Sequence, residues 1–324
     1  MEAGMTGQAV CAVVGISERR LRQWRGRARQ GDYARHAKPA HVRPVNALTP
    51  QEEAAIERAV GCAEWADLSC RELSVKIMER AGLYVSHVAI WEYEKRHDLA
   101  GHRGKRRLRG RHRGEAPDTS FLSGPNQLWA WDFTKLATGM AHRFWYLCPV
   151  LDQWSRKVVG WHISAHADSE SAQLAWDQAL LAESLTVTTA PRSLSDRGAP
   201  MRSRSTREFF QELGVSQLLA RPHTPNDNAY VESLFATVKS APAYPEVFPS
   251  LESAWAYFRE FFRWYNEEHL HTRIGMVTPS QKHSGQWQRI LAEREAIKAK
   301  TFAMRRAYTR EQKDQNKNLK PAVS

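Results

Sequence analysis

Apolar and polar residues recur at helical spacing in two similar stretches within the first hundred residues. In residues 14–29, Ser17 can cap a helix and Trp24 supplies an apolar anchor. In residues 67–99, Ser69 can begin a helix that Gly82 ends, and Ser86 can begin another. Each stretch predicts a helix-turn-helix, and a proline-containing linker at residues 37–50 separates the two.

The second stretch also predicts which side chains pack between its helices. These apolar positions are Leu73, Ile77, Met78, Val88, Ile90, Trp91 and Tyr93. Plain helical hairpins share this pattern, but two such hairpins in tandem favour DNA binding. Arg22 and His87 would then lie on the helices that read the DNA sequence.

The pattern changes after residue 124. Residues 127–136, 144–152 and 156–163 are rich in aromatic and β-branched residues, which predicts three consecutive antiparallel strands. Helical periodicity follows at residues 169–185, 203–213, 228–239 and 251–265, with short strands before residue 195 and at 215–220. This order predicts an α/β fold, a mixed five-stranded sheet with flanking helices, preceded by all-α hairpins.

Composition excludes several classes of protein. The chain has 324 residues, 42% of them hydrophobic, and lacks the run of about 18 apolar residues that a membrane-spanning helix needs. Nothing basic precedes the apolar residues 9–16, which is the reverse of a secretory signal. The four cysteines form no Cys-x-x-Cys pair, which argues against a zinc finger or a disulfide framework.

Charge points to a polyanionic partner. Lys and Arg number 47 against 35 Asp and Glu, a net charge of +12, so nucleic acid is the first candidate. Residues 95–115 hold nine basic and two acidic residues with little apolar content. Such a stretch can be a solvated surface loop, but its density of arginine favours a basic linker that contacts phosphates.

Three carboxylates stand where an isolated acid would be costly. Asp132 lies inside the first predicted strand, Asp196 in a turn directly after a strand, and Glu232 at the start of a helix. Clustered carboxylates repel one another and need a cation, and Mg²⁺ prefers oxygen ligands. Phosphodiester chemistry by two metal ions uses such a set, in which Asp132 would bridge the ions. The ordinary alternatives are a backbone contact, a turn residue and a helix-dipole partner, respectively.

The spacing of the acids favours the metal site. Between Asp132 and Asp196 lie 63 residues, and between Asp196 and Glu232 lie 35. Together with the motifs GPNQLWAWDFTKL, LDQWSRKVVGW, SDRGAPM, RPHTPNDNAYVESLFATVK and RWYNEEHLHTRIGMVTPS, the set resembles the Asp-Asp-Glu core of retroviral-integrase-like transposases. It is most similar to the large, orfB-type transposase subunit of bacterial insertion sequences. The similarity covers about residues 46–285.

This resemblance implies an RNase-H-like core in which Asp132, Asp196 and Glu232 are catalytic and hold two Mg²⁺ or Mn²⁺ ions. It implies DNA strand cleavage and strand transfer without a covalent protein intermediate. Lys239 follows Glu232 by seven residues and so shares its helix face, from which it can reach DNA. The other expected DNA contacts are Asn226, Asn228, Arg22, Arg103, Lys105, Arg106, Arg107, Arg109, Arg111 and Arg113. For the two asparagines, helix capping is the alternative.

The predicted organisation has five segments. They are an N-terminal helix-turn-helix at residues 1–45, a second helix-turn-helix-like DNA-binding domain at 46–100, a basic linker at 101–124, an RNase-H-like integrase core at 125–285, and a basic helical or disordered tail at 286–324. The expected partners are double-stranded DNA, at the terminal inverted repeats of the element and at the target, and further copies of the chain, with no membrane. The expected location is the bacterial cytoplasm, at the nucleoid.

One position departs from the family pattern. Leu194 stands two residues before Asp196, where the family commonly has His. A decayed, inactive copy that acts only as a sequence-specific DNA-binding protein is therefore the alternative function, although retention of all three acids favours the enzyme. A stand-alone RNase-H-like nuclease is a weaker rival, because it would need neither the tandem hairpins nor the basic linker.

Overall fold

The computed structural model describes residues 17–29, 47–99, 119–220 and 228–318, with single positions at 11, 13, 15 and 44. The chain divides into two compact units, Met1–Gln51 with Phe302–Ser324, and Glu52–Thr301. No helix in these described ranges combines the length and apolar character needed to cross a bilayer.

The first unit contains helix α1, Glu18–Arg29, within the first predicted hairpin. Six of its residues are arginines, which leaves no continuous apolar stripe. Arg22 is exposed, as expected for a DNA contact. Trp24 is 48% exposed, so its prediction as an apolar anchor is wrong.

The second unit begins with three helices, α2 (Pro50–Val60), α3 (Cys70–Ala81) and α4 (His87–Arg96). The predicted caps of α3 and α4 are confirmed. Ser69 forms a reciprocal capping box with Glu72, Gly82 adopts the left-handed conformation with φ 61°, and Ser86 Oγ accepts a hydrogen bond from the Ala89 N–H. Helix α2 was not predicted, because Pro50 was assigned to the linker, yet proline suits the first turn of a helix.

The packing within this hairpin corrects part of the predicted interior. Leu73, Ile77 and Ile90 are buried. Val88 and Trp91, by contrast, are each 49% exposed, because the buried face of α4 runs through Ile90 and Glu94. Since successive helix residues are turned by about 100°, Val88 falls on the far side of the helix from this face and Trp91 lies at its edge.

The centre of this unit is a mixed sheet. Its strand segments are β1 (Leu128–Trp131), β2 (Thr134–Ala137), β3 (Phe144–Asp152), β4 (Val158–Ser164), β5 (Arg192–Ser195) and β6 (Gln217–Leu219). Strand β3 pairs antiparallel with β1, β2 and β4, whereas β5 pairs parallel with both β1 and β6. The segments β1 and β2 continue one register along β3, from Trp131↔Val150 to Thr134↔Leu147. They therefore form one interrupted strand, which confirms the predicted five-stranded arrangement.

Pro149 explains the interruption of this strand. The shared register places Pro149 of β3 opposite Asp132. The Gln153 N–H donates to Leu128 O, so by strand alternation the backbone of Pro149 also faces the first strand. Because proline has no N–H, it cannot donate to the Asp132 carbonyl, and the ladder opens at Asp132 and Phe133.

Helices cover both faces of the sheet. The helices that follow β4 in the chain are α5 (Ser169–Ala182), α6 (Ala199–Arg202), α7 (Arg204–Glu212), α8 (Ala229–Lys239), α9 (Leu251–Glu267), α10 (Pro279–His283) and α11 (Trp287–Asn318). One face packs against α8 and α9 and the other against α5 and α7. All four residues of β1 are buried, as expected for a strand covered on both sides. This strand order, with a parallel half and helices on both faces, is the RNase-H-like fold.

The first part of α11 packs on the helical hairpin within the same unit. The Tyr84 N–H donates to Thr301 Oγ1 at 2.9 Å, and Arg294 Nη2 lies 3.2 Å from Glu79 Oε1. Ile297 contacts the apolar cluster that includes Val75. The segment predicted as a tail therefore begins as a packed helix.

A polar network ties α10 to the turn between β3 and β4. Ser155 Oγ donates to Asp152 Oδ1 at 2.6 Å and lies 2.9 Å from His283 Nδ1. His283 Nε2 lies 2.8 Å from Glu183 Oε2. Lys157 Nζ donates to the other carboxylate oxygen, Glu183 Oε1, at 2.7 Å. Burial alone would lower the pKa of His283, but its bonds to Asp152 and Glu183 outweigh burial and raise it. Burial alone would raise the pKa of Glu183, but the hydrogen bonds from His283 and Lys157 outweigh burial and lower this pKa to about 2.

We expect His283 to make stability depend on pH. Because its pKa is raised in the folded state, its stabilising effect is complete below the unfolded value of about 6.5 and is lost as pH rises through the folded pKa. Urea unfolding from pH 6 to 9 should show a steeper loss of unfolding free energy in the wild type than in His283→Gln. Glu183 stays ionised throughout this range. Parallel pH profiles would contradict the assignment.

Close packing of α5 on β4 gives a second prediction. A Cβ at Gly160 would lie 2.6 Å from both Ala175 O and Ala179 Cβ. Gly160→Ala should therefore lower the free energy of unfolding by about 1–3 kcal/mol, the usual cost of overpacking. Gly124→Ala is the matched control, since its Cβ would meet only Gln127 Nε2 at 3.9 Å. Equal urea midpoints for the two variants would disprove the close contact.

Candidate active site

Asp132 and Asp196 are brought together by the parallel pairing of β1 and β5. The register joins Leu128 to Arg192 and Ala130 to Leu194. Two residues further along, the same register sets Asp132 opposite Asp196, on strands about 4.8 Å apart. The two acids, which 63 intervening residues separate in the sequence, thus become neighbours at the carboxyl ends of adjacent strands.

The turn after β5 orients the Asp196 side chain. Asp196 Oδ1 accepts a hydrogen bond from the Gly198 N–H at 2.8 Å, and the side chain is exposed. A Cβ at Gly198 would lie 3.1 Å from this carboxylate oxygen and 2.9 Å from Met201 Sδ. Glycine therefore permits the close turn that holds the carboxylate.

Glu232 is positioned by the packing of α8. Val231, Leu234 and Val238 are buried in the core beneath the helix, and Glu232 remains half-buried beside them. Asn228 Nδ2 donates to Trp131 O at 3.1 Å. This bond attaches the beginning of α8 to the end of β1, directly before Asp132.

The electrostatics of Asp132 show that the three acids act on one another. Its pKa is raised to about 7, first by burial and then by the negative charge of Asp196. The Phe133 N–H, which donates to Asp132 Oδ1 at 2.7 Å, offsets part of this effect, and Glu232 adds to it. The carboxylates thus share a local excess of negative charge that a cation would relieve.

The residues at this site fit a hydrated divalent cation. Three carboxylates are hard oxygen donors, which suit Mg²⁺ or Mn²⁺. Among the described residues, the buried Asn228 Oδ1 has no hydrogen-bond partner, and it so offers an acceptor for a metal-bound water. Within the part of the chain that the structure describes, no three His, Cys, Asp or Glu side chains already form a metal-binding cluster.

The remaining predicted residues have different outcomes. Lys239 is the exposed last residue of α8. Asn228 occupies the N-cap position of α8 but makes no side-chain capping bond, and with 5% exposure it suits support of the site better than direct DNA contact. The predicted contacts outside the described residues are Asn226, Arg103, Lys105, Arg106, Arg107, Arg109, Arg111 and Arg113.

Two residues near the acids make contacts that their positions in the sequence did not indicate. Leu194, 1% exposed, packs in the same core as Leu128 and Ala130, so the apolar residue is accommodated before Asp196. Arg197, which the sequence analysis did not single out, donates from Nε to Ala220 O at 2.7 Å. Its only signal in the sequence was its position next to Asp196.

Two family models match the part of the chain that holds the three acids. Residues 123–225 and 213–279 match two family models, each described as an integrase core domain. Both Asp132 and Asp196 fall within the first matched range, and Glu232 falls within the second.

Curated relatives include transposases of Escherichia coli strain K12. The chain is 26% identical over 210 residues to the putative transposase InsK for insertion sequence element IS150, an alignment covering 62% of this chain and 72% of InsK. It is 33% identical over 165 residues to the transposase InsF for insertion sequence IS3A, covering 50% of this chain and 55% of InsF. The second alignment thus spans about half the length of that relative.

Solved structures with a detectable likeness include retroviral integrases. The HTLV-2 integrase catalytic core domain in complex with magnesium, in its trimeric form, is 16% identical with a TM-score of 0.37, covering 49% of this chain and 97% of that one. The BIV integrase catalytic core is 16% identical with a TM-score of 0.38, covering 51% and 99%. Residues 123–279 therefore match integrase core domain models, and the chain is similar to transposases of bacterial insertion sequences.

Proposed function

We propose that this protein is an Asp-Asp-Glu polynucleotidyl transferase that cleaves DNA strands at the ends of an insertion sequence and joins them to target DNA. The observation that carries the proposal is the register that sets Asp132 opposite Asp196. The charge of Glu232 reaches the same carboxylate, Asp132, from α8. Water would be the nucleophile for cleavage and a 3′-hydroxyl for joining, with no covalent protein intermediate.

Asp132, Asp196 and Glu232 would hold two Mg²⁺ or Mn²⁺ ions. Bound there, the ions would supply charge stabilisation at the attacking and leaving oxygens. Asp132 must lose its proton to act as a ligand, and its raised pKa makes this loss dependent on pH near neutrality. Asn228 would keep α8 at the end of β1, and the exposed Lys239 would contact a DNA phosphate.

The DNA partners follow from the rest of the chain. The hairpins would recognise the terminal inverted repeats through residues such as Arg22 and His87, both of which are exposed. The basic linker at residues 101–124 would contact phosphates of the element or of the target DNA. We infer that several copies of the chain act together on DNA, because two element ends must be joined in one reaction.

The alternative function is a decayed copy that binds DNA without cleaving it. The absence of the usual His before Asp196 is the observation that favours this alternative. Leu194 lies in the apolar core, and both neighbouring acids keep their positions, so the framework of the site persists. Catalytic turnover on element ends distinguishes the two functions.

Substitution of the three acids tests the proposed chemistry. Asp132→Asn, Asp196→Asn and Glu232→Gln should each abolish strand cleavage and joining in Mg²⁺, because each removes a metal ligand. Binding to the same DNA in Ca²⁺ should change little, since phosphate and base contacts lie elsewhere. Purified protein with labelled element ends would report nicked and joined strands on a denaturing gel. Wild-type turnover by any one variant would remove that residue from the catalytic set.

The raised pKa of Asp132 predicts how metal binding depends on pH. At pH values below its pKa of about 7, the Asp132 carboxyl must release a proton before it can bind a metal ion. The affinity for Mn²⁺ should therefore rise about tenfold per pH unit from pH 5 to 7 and then level off. Calorimetric titration in buffers of different ionisation enthalpy would count the released proton. Glu232→Gln removes one charge that raises this pKa and should move the plateau to lower pH. Affinity independent of pH would rule out Asp132 as the titrating ligand.

A further inference from the structure

We propose that the guanidinium group of Arg197 binds a phosphate of the DNA strand at the carboxylate site. This inference rests on the proposed function, since it assigns a substrate contact within the same site. Arg197 directly follows Asp196, beyond the carboxyl end of β5. It therefore stands at the sheet edge where the catalytic acids meet.

The backbone around Arg197 fixes the orientation of the side chain. Its Nε donates to Ala220 O at 2.7 Å. The Ala220 N–H in turn donates to Ser195 O at 2.8 Å, which continues the parallel ladder between β5 and β6. Two adjacent strand ends thus hold the guanidinium plane in place before any ligand binds. Such preorganisation lowers the entropic cost of forming further contacts.

The rest of the guanidinium group is available to a ligand. Arginine has five N–H donors, and the bond to Ala220 uses one. Among the described residues, neither Nη1 nor Nη2 of Arg197 has a hydrogen-bond or ion-pair partner, and the side chain is exposed. The four unused donors form the planar fork that binds phosphate oxygens in pairs.

The positive charge of Arg197 would offset the negative charge of the three acids. Asp132, Asp196 and Glu232 together repel a DNA phosphate. Arg197 makes no ion pair with Asp196, so its positive charge remains available to an incoming anion. A fixed cation beside the acids would offset the repulsion and hold the strand near the reacting centre.

Substitutions at Arg197 separate phosphate binding from a structural role. Arg197→Lys keeps the charge, Arg197→Gln keeps a donor for Ala220 O, and Arg197→Ala removes both. Arg207→Ala, at an exposed position on α7, is the matched control for loss of one positive charge. For each protein, the measurements are binding to an element end in Ca²⁺ over a range of salt, cleavage of that end in Mg²⁺, and thermal unfolding.

The Gln and Ala variants should reduce the log-log salt slope of DNA binding by about 0.9, the value of one phosphate contact, whereas Lys should retain it. Cleavage should fall about 100-fold in Gln and Ala and less in Lys, with the Tm of the Gln variant unchanged. The Arg207→Ala control should match the wild type in all three measurements.

Two results would overturn the inference. One is an unchanged salt slope and unchanged cleavage in Arg197→Ala. The other is a wild-type salt slope together with wild-type cleavage in Arg197→Gln, which would show that Arg197 acts only through its hydrogen bond to Ala220 O. A wild-type protein that binds but never cleaves would contradict the proposed function alone, because the salt slope tests the phosphate contact without turnover.

Discussion

The parallel hydrogen-bond ladder between β1 and β5 is the constraint on which the site depends. It aligns the ends of two strands so that Asp132 and Asp196 follow at matching positions, two residues beyond the pair Ala130↔Leu194. A shift of the pairing by a single residue would send one of these side chains to the other face of the sheet. The aromatic cluster of Trp129, Trp131 and Trp176 opposes such a shift, because these buried rings fix β1 against α5.

The same alignment brings an electrostatic cost. Burial and two neighbouring acids raise the pKa of Asp132 to about 7, and one backbone N–H from Phe133 offsets only part of that effect. Two hydrogen bonds hold the elements around the acids, from Asn228 to Trp131 O of β1 and from the Gly198 N–H to Asp196. Storing such strain at a functional site, in a form that a cation can relieve, is a common property of metal-dependent enzymes.

Much of the fold could be predicted because its signals are local. The helix caps at Ser69 and Gly82 and the aromatic strands each depend on residues that lie close together in the sequence. The opening at Asp132 was not predictable, since it depends on Pro149, which becomes its neighbour only through the β3 register. Likewise, the bond between Arg197 and Ala220 joins residues 23 positions apart, and motif spacing contains no information about it. The three acids could be proposed from spacing and family resemblance, but their mutual effect on pKa required the fold.

Anomalous diffraction from a crystal of the full chain soaked in Mn²⁺ would show whether the three acids form one metal site. We expect a manganese peak between the carboxylates of Asp132 and Asp196, with Glu232 among the ligands and both strands in the register described above. Manganese bound only at other residues, with these two carboxylates turned away from each other, would contradict this expectation.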